Sequence, residues 1–147
     1  MRNTPTPPLW RRLFAVGALL LSLLLCAAAG RLNERPVGST EEERLAYIHS
    51  LGWELTGEEL REEVSLPDRF TGVYVDYLAL QREAGFDLMP YAGRTLVRCS
   101  RQVSNYPGTN DVVFLDLLIC DEHIVGGDLR STALDGFMAP LGPCPEQ

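Results

Sequence analysis

The hydrophobic and polar positions divide the chain into an apolar leading segment and a longer segment of mixed periodicity. An uncharged run extends from Leu13 to Gly30, LFAVGALLLSLLLCAAAG, directly after Arg11 and Arg12. As a helix this run spans about 27 Å, close to the ~30 Å hydrocarbon core of a bilayer. We therefore predict that residues 13–30 enter a membrane.

The charges beside the run predict its orientation. Three arginines lie before it, whereas the arginines after it are diluted by glutamates. Because an arginine excess marks the cytoplasmic side, the C-terminus is expected outside the cytoplasm. Residues 1–30 are then either a retained signal anchor or a signal peptide cut after Ala29, since alanines stand where signal peptidase requires small residues.

The segment after the leader predicts a linker and one domain. Residues 31–39 are the expected linker, and residues 40–147 suffice for a single core. Thr40 and Glu43 have the spacing of a capping box, which predicts a helix over about 41–51.

Later periodicities predict one more helix and several strands. Apolar residues recur at helical spacing over 68–84, and alternating or continuous apolar runs predict strands. The expected strands are 95–103, 112–120 and 123–129, with shorter extended pieces at 53–55 and 61–66; the tail from Ala139 is expected to be a loop. The sum is an α+β domain with one or two helices packed on an antiparallel sheet of about four strands.

The charged residues after the leader limit the classes of partner that the domain can bind. Residues 31–147 contain ten arginines, no lysine and twenty acidic residues, a formal charge near −10. Such a surface repels nucleic acid and anionic lipid headgroups. The expected partners are the membrane, through residues 13–30, and a protein, a peptide or a wall component.

Three cysteines follow the leader. Cys99 and Cys120 face each other across neighbouring strands if the hairpin centre lies between Thr109 and Asn110. A disulfide there would close a loop of about 20 residues and stabilise by about 3 kcal/mol. Cys144 is an alternative partner for either, and buried free thiols are the other outcome, because a one-residue change of register turns the two strand cysteines to opposite faces.

No catalytic set is recognisable in the sequence. A nucleophile and base could come from Cys120 and His123, but on a strand they point to opposite faces. With two histidines and no CxxC spacing, neither a zinc site nor a cofactor is expected.

Three aspartates are the candidate ligand-binding residues. Asp116 lies in the apolar strand and needs a partner, for which Arg98 or Arg101 is expected; the floor of a polar pocket is the alternative interpretation. Asp128 and Asp135 are expected either to serve as turn residues or to converge on a cation or polar ligand. Their oxygens would suit calcium, although the spacing is not that of an EF-hand.

Gly126 and Gly127 interrupt the last of the three long predicted strands. A glycine pair inside a strand indicates a bulge or a close approach of another segment to the backbone.

Several phrases occur in an order that resembles one known family. They are Gly52-Trp53-Glu54, Leu66-Pro67, Leu80-Gln81, Gly85-Phe86-Asp87-Leu88, Tyr91-Ala92-Gly93, Asn105-Tyr106-Pro107-Gly108, Gly126-Gly127-Asp128 and Leu134-Asp135-Gly136-Phe137-Met138. Residues 41–138 thereby resemble the domain of unknown function 4830 family, small exported or membrane-anchored proteins of clostridia and their relatives. The resemblance implies a Gram-positive cell surface and an α+β domain, and it implies no activity. The strand cysteines and Asp121-Glu122 depart from the family pattern.

The sequence therefore predicts a non-enzymatic binding or interaction module at a bacterial cell surface. An exported, hydrolase-like enzyme acting through Asp116 or Asp128 is the alternative. A structural partner in an envelope complex is a third interpretation.

Overall fold

The computed structural model of the chain describes residues 35–145. The predicted membrane segment and residues 31–34 of the predicted linker lie outside the described residues. Within the described part, no helix is both long enough and apolar enough to cross a bilayer. Its elements are α1 (Glu41–Ser50), β1 (Leu55–Ser65), α2 (Val73–Glu83), a 3-10 helix (Met89–Tyr91), β2 (Thr95–Val103), β3 (Val113–Cys120), β4 (His123–Ser131) and β5 (Met138–Pro140).

The described residues form an α+β domain, as predicted, in which two helices accompany an antiparallel sheet. The strands follow one another in the order β1-β2-β3-β4-β5. The sheet has five strands rather than four because Met138–Pro140, predicted to be loop, pairs with the end of β4. A three-residue strand is too short to have a readable period.

β1 is one long strand where the sequence predicted two short pieces. Gly57, between the two predicted pieces, lies inside the strand with φ +74°. The pairing of β1 with β2 shifts between Thr56 and Leu60, which is a bulge. The bulge absorbs the glycine without reversing the chain.

The second helix begins at Val73 and not at Asp68 as predicted. The start of the preceding segment is tied to the residues before β2, because the amide of Leu66 donates to the carbonyl of Arg94 and the amide of Gly93 donates to that of Pro67. These tertiary hydrogen bonds outweigh the local capping tendency of Asp68.

The two helices cover opposite faces of the sheet. Ile48 of α1 belongs to a core with Leu115 and Leu117 of β3. Leu78 of α2 belongs to a second core with Leu118, on the other face of the same strand. β3 is therefore apolar on both faces because it is the central strand of a sheet that is covered twice.

The capping box that opens α1 is present. The amide of Glu43 donates to Oγ1 of Thr40 over 3.2 Å, and the amide of Thr40 donates to Oε2 of Glu43 over 3.0 Å. Hydrogen bonds from Thr40 and Ser39 hold the pKa of the Glu43 carboxyl below its usual value.

A buried arginine joins α1 to the edge strand β1. Arg44 is 2% exposed, and its Nε and Nη2 donate to the two carboxylate oxygens of Glu59 over 2.8 and 2.6 Å. Its Nη1 donates to the carbonyl of Gly38 over 2.8 Å. Such a fork satisfies a guanidinium that water does not reach.

The glycine pair in β4 marks both a bulge and a close approach, the two alternatives that the sequence indicated. Leu118 pairs with Gly126, whereas Ile119 pairs with Ile124, so β4 carries one extra residue. A Cβ on Gly126 would lie 2.8 Å from Oε1 of Gln81 and 2.9 Å from Cδ1 of Leu118. Helix α2 therefore packs directly on the backbone of β4.

We expect Gly126→Ala to lower the free energy of unfolding by about 1–3 kcal/mol, because the added methyl group overfills the contact between α2 and β4. Gly142→Ala is the matched control, since a Cβ at Gly142 meets nothing within 4 Å. Urea unfolding followed by circular dichroism measures both variants. Equal unfolding midpoints for the two would contradict the packing described for Gly126.

Candidate functional site

Asp116 and Asp128 lie directly opposite each other on β3 and β4. Both are on the sheet face that α2 covers, and they are 1% and 2% exposed. Directly opposed residues of an antiparallel pair have Cβ atoms about 4.5–5.5 Å apart, and like charges in that position destabilise a sheet. The neighbours of this carboxylate pair must therefore compensate the charge.

Asp116 is compensated by two arginines. Nε of Arg130 donates to its Oδ2 over 2.6 Å, and Nη1 of Arg98 lies 3.9 Å from the same oxygen. Arg98 was one of the two expected partners. Arg101, the other, lies on the opposite face, where it pairs with Glu41.

Asp128 is bound only by neutral donors. The Tyr77 hydroxyl and Nε2 of Gln81, both from α2, donate to its Oδ2 over 2.8 and 3.3 Å. Oε1 of Gln81 accepts from the amide of Gly127 over 2.9 Å, which fixes the Gln81 side chain. Among residues 35–145, no arginine or histidine lies within ion-pair distance of Asp128.

Burial without a cation changes the acidity of the site. Burial raises the pKa of Asp128 to about 6; the Tyr77 hydrogen bond offsets part of the rise, and the charge of Asp116 adds to it. Burial also raises the pKa of the Tyr77 hydroxyl, and the neighbouring charge of Asp128 acts in the same direction. Tyr77 is therefore a hydrogen-bond donor at every physiological pH.

One oxygen of each carboxylate lacks a donor. Within the described part of the chain, Oδ1 of Asp116 and Oδ1 of Asp128 are buried and accept no hydrogen bond. Buried polar atoms in native proteins nearly always have a partner, so such a pair calls for a proton or for a donor from outside the chain.

A cavity of about 600 Å³ lies beside this pair, lined by residues of α2 and of the sheet. Asp128, Arg98 and Tyr77 supply polar groups to its lining, and Asp76 and Ser65 add two more. The apolar part of the lining is formed by Val64, Leu66, Val73, Tyr74, Leu80, Leu118 and Met138. The size and the mixture of many apolar with few polar groups are typical of small-molecule sites.

Asp135 does not share this lining. It is exposed in the loop between β4 and β5, whereas Asp128 is buried beneath α2. Among residues 35–145, no group of three or more His, Cys, Asp or Glu side chains is arranged to hold a metal ion.

Of the two outcomes left open by the sequence for Cys99 and Cys120, the structure shows buried free thiols and not the disulfide. Val97 pairs with Ile119, so the hairpin centre is at Gly108 and Cys99 lies opposite Leu117. Cys99 therefore belongs to the core beside α1 and Cys120 to the core beside α2.

All three cysteines of the described part are free thiols. Burial raises the pKa of the thiols of Cys99 and Cys120, which keeps them protonated and unreactive. Cys144 is half-buried in the tail, where Nδ2 of Asn105 lies 3.6 Å from its sulfur.

Comparisons of this chain with protein-family models, with curated proteins and with solved structures find no match. The resemblance to the domain of unknown function 4830 family therefore stays a prediction.

Three residues of the site were not predicted from the sequence. Tyr77 and Gln81 were not identified as partners of Asp128, and Arg130 lies just beyond the predicted end of its strand. The four-residue spacing of Tyr77 and Gln81 places both on one helix face, which is the signal that could have joined them.

We expect the free energy of unfolding to fall by about 2 kcal/mol as the pH rises from about 4 to about 7, from the contribution of Asp128 alone. The folded state binds this proton with a pKa of about 6, above the ordinary value of 3.8, so the stabilisation is complete below the lower value and lost above the higher one. Urea unfolding at a series of pH values measures it.

Asp128→Asn should remove this fall, because the amide stays neutral and its oxygen still accepts from Tyr77 and Gln81. Asp135→Asn, a change at an exposed aspartate, should keep the wild-type profile. Parallel profiles for the wild type and Asp128→Asn would contradict the proton held by Asp128.

Proposed function

We propose that the chain is a non-enzymatic binding module, displayed outside the cytoplasm of a bacterium on an N-terminal membrane segment. The observation that carries the proposal is the cavity of about 600 Å³ between α2 and the sheet, whose lining includes the buried, incompletely satisfied carboxylate of Asp128. Stability alone does not favour a buried carboxylate at this position, because an apolar side chain would avoid its desolvation.

The cavity favours a small ligand or a single side chain of a peptide over a flat protein surface. Its lining is largely apolar and includes a few polar side chains, among them Asp128 and Tyr77. This arrangement buries the body of a ligand and orients its polar end. Of the partners expected from the sequence, a peptide or a small wall component fits this shape.

The proposed location depends on the apolar leader and on the charges beside it. Residues 13–30 have the length and apolarity of a membrane segment, and the preceding arginines favour a cytoplasmic N-terminus. A cut after Ala29 would instead release the domain. The resemblance to exported and membrane-anchored proteins agrees with either outcome.

A hydrolase-like enzyme is the second candidate, and one observation favours it. A carboxyl group with a pKa of about 6 at the edge of a cavity can act as a general acid near neutral pH. Asp116, the second carboxylate of such an enzyme, is bound to Arg130 and does not line the cavity. We therefore rank binding above catalysis.

We expect Val64→Trp to abolish ligand retention by filling the cavity that Val64 lines. Full-length chain in lipid nanodiscs is incubated with an extract of native envelopes, washed, and analysed for bound small molecules by mass spectrometry. Glu63→Trp is the matched control, because Glu63 is exposed and, as the next residue of the strand, points to the other face.

Retention of a compound by the wild type and by Glu63→Trp, and its loss in Val64→Trp, supports the proposal. A wild-type chain that retains nothing from such extracts counts against a binding function. Conversion of a retained compound into a product, which Asp116→Asn stops, would favour the enzyme.

We expect a tag fused after Gln147 to be removed by protease added to intact cells, because the C-terminal domain is outside. A cytoplasmic protein in the same cells should stay intact. Protection of the tag would overturn the proposed topology. The mass of the purified chain distinguishes a retained leader from one cut after Ala29.

A further inference from the structure

We infer that the cavity binds an organic cation, a ligand whose ammonium or guanidinium group contacts Asp128 while its apolar body fills the space beneath α2. This inference rests on the proposed binding function and adds the chemical class of the ligand. It depends on the uneven distribution of cations among the carboxylates of this sheet face.

Asp128 is the carboxylate of the cluster that lacks a cation. Asp116 is contacted by Arg130 and Arg98, and Glu62 by Arg98. Asp128 receives only the hydroxyl of Tyr77 and the amide of Gln81. A carboxylate that is 2% exposed and unpaired is costly, and a cationic ligand would remove that cost.

The hydrogen-bonding capacity of Asp128 is also incomplete. Its Oδ2 accepts from two donors, whereas no described residue donates to its buried Oδ1. An ammonium carries three N–H donors and a guanidinium five, and neither carries an acceptor. A cationic group therefore matches Asp128, whose Oδ1 is an acceptor without a donor.

The walls suit the remainder of such a ligand. The rings of Tyr74 and Tyr77 line the cavity with aliphatic side chains, and a cation beside an aromatic face gains further stabilisation. Asp76 adds a carboxylate to the lining. The net negative charge of the domain raises the local concentration of cations before they bind.

Arg98 also lines the cavity and is the group that would favour an anion. Its Nε donates to Oε1 of Glu62 over 2.6 Å, and its Nη1 lies 3.9 Å from Asp116, so its charge is already compensated. An anionic ligand beside Arg98 would also meet Asp128 and Asp76. The balance of charge therefore favours a cation.

The cation competes with a proton. The groups that face Asp128 are Tyr77 from α2, Asp116 from β3, Arg98 from β2 and Arg130 from β4, while Glu62 of β1 compensates Arg98. With a pKa of about 6, Asp128 carries a proton in acid and a charge above neutrality. Binding of a cation should therefore strengthen as the pH rises.

The test uses three probes of one length: n-hexylamine, 1-hexanol and hexanoate. Calorimetric titration of full-length chain in zwitterionic nanodiscs, with empty nanodiscs subtracted, gives each affinity. At pH 7.5 we expect hexylammonium to bind at least tenfold more tightly than hexanol, and hexanoate to bind most weakly. The affinity for hexylammonium should fall about tenfold between pH 7 and pH 5, while the affinity for hexanol stays constant.

Asp128→Asn should reduce the affinity for hexylammonium at least tenfold and leave that for hexanol unchanged. Asp135→Asn, at an exposed site, should change neither. Equal binding of hexanol and hexylammonium, with no effect of Asp128→Asn, would overturn the cation and leave the binding module intact. Absence of binding by all three probes, in a chain that does retain a compound from envelope extracts, would also overturn it.

Discussion

The structure depends on one cross-strand pair. Asp116 of β3 and Asp128 of β4 face each other within a sheet that is covered on both sides. Because α2 closes over Asp128 and two arginines close over Asp116, neither charge reaches water. The polar residues of this face compensate the charges of the two aspartates. The cavity lies beside Asp128, whose charge is compensated incompletely. Asp128 therefore links the packing of the sheet to the chemistry of the proposed ligand.

The class of the fold was predictable because its signals are local. The capping box of Thr40 and Glu43 needs only four consecutive residues, and the strand over 95–103 is delimited by its own alternation. The burial of Asp116 was equally readable, since an acidic residue inside an apolar run has no other place. Local patterns of this kind survive tertiary packing when no stronger contact opposes them.

The site itself was not predictable because it depends on register and on distant contacts. Without the extra residue of the bulge near Gly126, Asp116 would lie opposite Gly127 and not Asp128. The disulfide considered for Cys99 and Cys120 also depends on register. The observed pairing of β2 with β3 differs by three residues from the one that the disulfide needs, so the two cysteines belong to different cores. Arg44 could not be recognised as buried, since its partner Glu59 lies fifteen residues away on a strand that the sequence had divided.

The attachment of the chain's leading end has a mechanical consequence. The amide of Gly38 donates to the carbonyl of Glu122, and the amide of Ile124 donates to that of Pro36, so the incoming chain is fastened to the β3–β4 hairpin before α1 begins. Traction applied at residue 35 would load these two bonds together with the contact of the Arg35 guanidinium on the hydroxyl and ring of Tyr91. Tyr91 belongs to the core beside α2, so a pull at this end of the domain reaches the face of the sheet on which the cavity lies.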